Sequence, residues 1–116
     1  MKAMIHISLA LNIAVLLPVC FSLLTSAHWT LAAYGPPSPA RGILLSIYLA
    51  ILLLSALLLL KPLPAAVLAL LAVQIVYKLT TPFTVGTLAN PVVVSNLLIA
   101  LVHLVTASTI VGSQRL

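Results

Sequence analysis

The chain contains no aspartate and no glutamate. Charged residues make up 4% of it, where an ordinary soluble domain carries about 25%. A water-soluble fold of this size needs a charged surface to stay dispersed, and this chain cannot supply one. The missing carboxylates also remove whole classes of chemistry. Mg²⁺ and Ca²⁺ sites rely on hard oxygen ligands, so metal-dependent phosphoryl transfer has no apparatus here. Paired-carboxylate hydrolysis is equally unavailable. A serine triad would lack its acid, and no GxSxG occurs. These absences argue against an enzyme.

Other scarcities narrow the reading further. Cys20 is the one cysteine, which excludes an intramolecular disulfide and a thiolate metal cluster. It lies in the first apolar run and reads as a small core residue. The basic residues Lys2, Arg41, Lys61, Lys78 and Arg115 stand singly, with no run or stripe. That scatter excludes a nucleic-acid partner and suits topology determinants instead.

What is present is hydrocarbon: 64% of the 116 residues are hydrophobic. The pattern predicts an all-α, polytopic membrane protein of one domain, with four transmembrane helices in an antiparallel up-down bundle. The spans are expected at about 4–29, 42–60, 64–81 and 92–111. At ~1.5 Å per residue such segments cross, or nearly cross, a hydrocarbon core of ~30 Å.

Lys2, an apolar run and Thr25-Ser26-Ala27 have the outline of a secretory signal. The run from Ala3 to Ala27 exceeds a typical signal core, so it reads as a retained first span. Pro18 predicts a kink in it, and His28 and Trp29 mark its far end. Gly35, Pro36, Pro37 and Pro39 predict a loop over residues 32–42, and Pro82 to Pro91 a second one. Lys61-Pro62-Leu63-Pro64 is a tight turn that predicts spans two and three as antiparallel neighbours. Gly42, Ser46 and Ala50, continued by Ser55, give span two a small-residue face; Ala65, Ala69 and Ala72 give span three another. Gly112 is the expected C-cap of span four.

An even number of spans places both termini on one side. Lys2, Lys61 and Arg115 then oppose Arg41 and Lys78, which favours cytoplasmic termini, as in a bacterial inner membrane. On this layout Phe21, Trp29, Tyr34, Tyr48, Tyr77 and Phe83 all fall in the outer half. Aromatic belts ordinarily line both interfaces, so the outer half is chemically special.

Two polar groupings are candidate sites. The first, at the outer ends of spans one, three and four, comprises His28, Trp29, Gln74, Tyr77, Lys78 and Asn96. Gln74, Tyr77, Lys78 and Thr81 form a polar stripe at i, i+3, i+4 and i+7. Together these groups suit an anionic or carbonyl-bearing ligand, a lipid head group or a quinone ring. The plainer reading is interfacial anchoring, with lysine snorkelling and aromatics at head-group level. The second grouping is Asn12 with His103, each roughly 12 Å from the inner surface at ~1.5 Å per residue. An intramembrane imidazole suggests a proton relay or an axial ligand to haem or a chlorin. The plainer reading is an interhelical hydrogen bond. His6 and His28 sit near opposite ends of span one, so neither supplies a second axial ligand at the depth of His103.

Thr84-Val85-Gly86 starts like a potassium-filter loop, but Thr87-Leu88 follows where the second glycine is needed. In size and span count the chain resembles the small multidrug-resistance transporters. That resemblance implies proton-coupled export of cationic drugs through a glutamate in the first span. Here Asn12 is the polar residue of that span and there is no acid, which removes the mechanism. The reading that remains is a small accessory or structural subunit of a larger membrane assembly, with respiratory and photosynthetic complexes as natural hosts. Its partners would be other membrane subunits and lipids. The rivals are a homo-oligomeric channel or carrier for a neutral or anionic solute, using Lys78, Gln74, Asn96 and His103, and a haem or chlorin protein built on His103.

Overall fold

A computed structural model describes residues 1–113. Five helices follow one another: α1 Lys2–Leu24, α2 His28–Tyr34, α3 Pro39–Leu60, α4 Pro64–Val85 and α5 Pro91–Ser113. Four of them, α1, α3, α4 and α5, are long and apolar enough to cross a membrane. They form an up-down bundle, and the chain is an integral membrane protein. The longest dimension, 47 Å, matches a bilayer of about 40–45 Å including its head groups. Large apolar side chains cover the outside, with Leu60 and Phe83 both more than four-fifths exposed. The interior is where the polar groups lie.

Helices α1, α3 and α5 start earlier than the sequence pattern predicts, whereas the start of α4 at Pro64 and the end of α3 at Leu60 fall where expected. Pro39 and Pro91, read as loop residues, are instead the first residues of α3 and α5, as the expected Pro64 is of α4. Proline suits that position, because its missing N–H would have no intrahelical partner there and its φ is already helical. Ser38 accepts from the Arg41 N–H (3.1 Å) ahead of α3, and Asn90 Oδ1 accepts from the Val92 N–H (2.8 Å) ahead of α5. Helix α4 runs through Pro82 to Val85 and stops at Gly86, whose left-handed backbone (φ 87°) donates to the Pro82 carbonyl at 3.1 Å. Helix α5 continues past Gly112 to Ser113.

The first span ends at Leu24, short of residue 29. Ser26 takes a positive φ of 53°, the chain turns, and His28 and Trp29 begin the separate helix α2. Arg115, used to weigh orientation, lies outside the described residues.

Packing departs from expectation in one respect. The tight turn at Lys61–Leu63 joins α3 to α4, yet their backbones meet only sparsely. The extensive pairings are α1 with α3 and α4 with α5, bridged by a smaller contact of α1 with α5. The small-residue faces do not meet inside the chain: Gly42, Ser46, Ala50, Ala65, Ala69 and Ala72 are all exposed. Ser55, expected on the same face, is fully buried on the other.

Candidate functional site

Two polar regions stand at different depths in the bundle. The deeper one centres on His103, which is wholly buried. Its Nε2 lies 3.0 Å from Asn12 Oδ1 and its Nδ1 lies 3.0 Å from Ser8 Oγ. Asn12 Nδ2 donates to Ser55 Oγ at 3.0 Å, and Ser8 Oγ is 2.6 Å from Thr106 Oγ1. The directions fix one another. Because Asn12 donates to Ser55, its carbonyl oxygen accepts from the His103 Nε2–H. The neutral ring then accepts at Nδ1 from Ser8, while the single hydroxyl proton of Thr106, 2.6 Å from Ser8 Oγ, also faces the Met4 and Val102 carbonyls at 3.2 and 3.1 Å. Five side chains from α1, α3 and α5 thus satisfy one another where there is no water to do so. The spacing explains the convergence: Ser8 and Asn12 are four apart on α1, and His103 and Thr106 three apart on α5.

The expected partners Asn12 and His103 are therefore in direct contact. Ser8, Ser55 and Thr106 were missed by sequence reasoning, although the four-residue step from Ser8 to Asn12 and the three-residue step from His103 to Thr106 carried the signal. Both imidazole nitrogens are engaged, which leaves neither lone pair to ligate a haem or chlorin metal.

The outer region is built around Lys78. Its side chain is 4% exposed, although it lies two turns from the end of α4. It does not snorkel. Its ammonium donates to Tyr77 Oη at 3.0 Å and stands 4.7 Å from the centre of the Tyr77 ring. Among the described residues that phenol is its one hydrogen-bond acceptor. Beside it is a cavity of about 210 Å³ whose lining includes Trp29, Tyr34, Tyr48, Lys78, Ser95 and Asn96. A second cavity, of about 200 Å³, shares Tyr34, Tyr48 and Asn96 with the first and adds Tyr77 and Thr81. Val92 also lines both.

The shared lining is ordered by aromatic contacts. Trp29 meets Tyr34 at 6.0 Å, and Tyr34 meets Tyr48 edge-on at 6.1 Å, with 3.3 Å between their hydroxyl oxygens. Burial, reinforced by the neighbouring Tyr48, pushes the Tyr34 hydroxyl well above the usual phenol range, so it stays protonated. Asn96 donates to Thr81 Oγ1 at 3.4 Å, linking α5 to α4. Asn90 donates to the Ala33 carbonyl at 2.8 Å and ties the loop before α5 to α2.

Of the six residues predicted for the outer site, Trp29, Tyr77, Lys78 and Asn96 line these cavities. His28 is exposed and lines neither. Gln74 is fully buried one turn below Lys78, where it donates to the Leu70 carbonyl at 3.5 Å while its Oε1 has no partner among the described residues. Tyr34 and Tyr48 belong to the site and were recognised in the sequence only as aromatics of the outer half.

Arg41, near the start of α3, is the other buried cation of this end and is 6% exposed. Its guanidinium donates to Gly35 O (2.8 Å), Leu23 O (3.3 Å) and Thr30 Oγ1 (3.2 Å). It thereby caps the C-terminal end of α1, where the helix dipole favours a cation, and pins α2 over the bundle.

The chain matches no protein-family model, no curated protein and no solved structure.

Proposed function

We propose that this protein is a non-enzymatic accessory subunit of a larger membrane assembly, docking against partner helices through the small-residue face of α3. The observation that carries this reading is the outward direction of Gly42, Ser46 and Ala50. A Cβ built on Gly42 meets nothing within 4 Å, so the small side chain there serves no close approach within the chain. Small residues at four-residue spacing let helix backbones approach closely in a membrane, where association depends on packing rather than on hydrophobicity. The exposed Ala65, Ala69 and Ala72 on α4 extend the same property to a second surface. No carboxylate, soluble domain or long loop supplies a catalytic apparatus.

The test is a tagged chain solubilised gently from its native membrane. Co-migration with larger subunits at fixed stoichiometry, lost in a Ser46→Leu variant, is the expected result. A chain that migrates alone, in both forms, ends the reading. A Cys20→Ser, Ser46→Cys chain that cross-links to itself supports the homo-oligomer instead.

A further inference from the structure

Lys78 poses a problem that the described residues do not solve. A buried ammonium in a membrane requires an opposite charge or several oxygen acceptors. The chain has no aspartate or glutamate anywhere, and among the described residues the one acceptor within reach is a neutral phenol. An ammonium has three donors, so two of them are left without an acceptor among the described residues. The cavity it lines is next to this unmet demand, with Asn96 and Ser95 on the same wall.

The size of the cavity limits the occupant. About 210 Å³ falls below the roughly 300–1,000 Å³ of sites that enclose a drug-sized ligand. A compact head group fits and a whole lipid or a macrocycle does not. Trp29, also in the lining, is 41% exposed and apolar in body, and Val15 and Leu16 add apolar lining from α1. A tail would leave along that apolar surface into the bilayer.

We propose that the outer cavity binds the oxyanion head of a single-tailed amphiphile, a fatty carboxylate or a lysophospholipid phosphate, with the charge on Lys78 and the tail outside. This goes beyond the accessory-subunit reading, and the isolated protein suffices to test it. Trp29 is the one tryptophan of the chain and lines the cavity, so its emission reports occupancy directly. The protein, in nanodiscs of zwitterionic phosphatidylcholine, is titrated with 9,10-dibromostearate and with its methyl ester. The acid should quench Trp29 saturably at a concentration at least tenfold below the ester. Lys78→Met should erase that preference, Lys78→Arg should keep most of it, and Lys61→Met should leave it intact. Equal quenching by acid and ester in the unaltered protein overturns the proposal whatever the variants do. So does an acid preference that survives in Lys78→Met. Displacement of the acid by millimolar inorganic phosphate or acetate would assign the cavity to a free anion and overturn the amphiphile.

Discussion

Arg41 and Lys78 are both cations buried near the outer end of a bundle that has no anionic side chains, and the protein treats them in opposite ways. Three oxygens from α1, α2 and the loop after it receive the guanidinium. One phenol and a ring face receive the ammonium, with an open cavity beyond. The planar, five-donor fork of arginine can be satisfied by backbone carbonyls arranged around it, whereas lysine is a compact charge. The difference separates a cation whose donors the fold satisfies from one whose donors it leaves largely open among the described residues.

Four measurements sharpen or break that contrast. The largest effect is expected for Arg41→Met, which strands the Leu23 and Gly35 carbonyls and should lower stability by about 3 kcal/mol. Reversible unfolding in mixed micelles, followed by helical circular dichroism, provides the number. A loss under about 1 kcal/mol would mean that Arg41 is no more structural than Lys78. For Lys78→Met the sign reverses: removing an uncompensated buried charge should raise stability by about 1 kcal/mol. A loss comparable to that of Arg41 would place Lys78 among the structural groups and dissolve the distinction.

The His103 network offers a third case, polar groups that answer one another internally. Asn12→Leu and His103→Leu should couple in a double-mutant cycle by about 0.6 kcal/mol, the typical size of an interhelical polar contact in a membrane. Coupling near zero would mean that the 3.0 Å contact contributes nothing. Tyr34→Phe, which removes only the 3.3 Å link to Tyr48, should cost about 0.5 kcal/mol by the same unfolding assay. A larger loss would make this pair of phenols a structural element in its own right.

The membrane class and the four spans were legible because hydropathy alone separates lipid-facing helix from loop. Helix boundaries were less so, since Pro39 and Pro91 are breakers by reputation but starters by position. The turn at Lys61–Leu63 fixes where two helix ends meet but not whether their faces run together, and here they scarcely do. For Lys78 the general habit of snorkelling misled, because the side chain folds onto Tyr77 two turns below the end of α4 instead of reaching out. Ser8, Ser55 and Thr106 stayed hidden for another reason. Hydroxyls in helices usually bond to their own backbone, as Ser108 does to Leu104 at 2.8 Å. Only the fold brings Ser8 to the histidine, Ser55 to Asn12 and Thr106 to Ser8.

The sparse meeting of α3 and α4 has a consequence for biogenesis. Each half of the polypeptide, residues 2–60 and 64–113, contains one complete pair of interlocked membrane helices. A ribosome can therefore deliver the first hairpin to the bilayer as a finished unit before the second has emerged. Severed at Pro62, the two fragments should find each other again through the seam between the opening and closing helices, with the hydroxyl of Ser113 returning to the sulfur of Met1 at 2.7 Å.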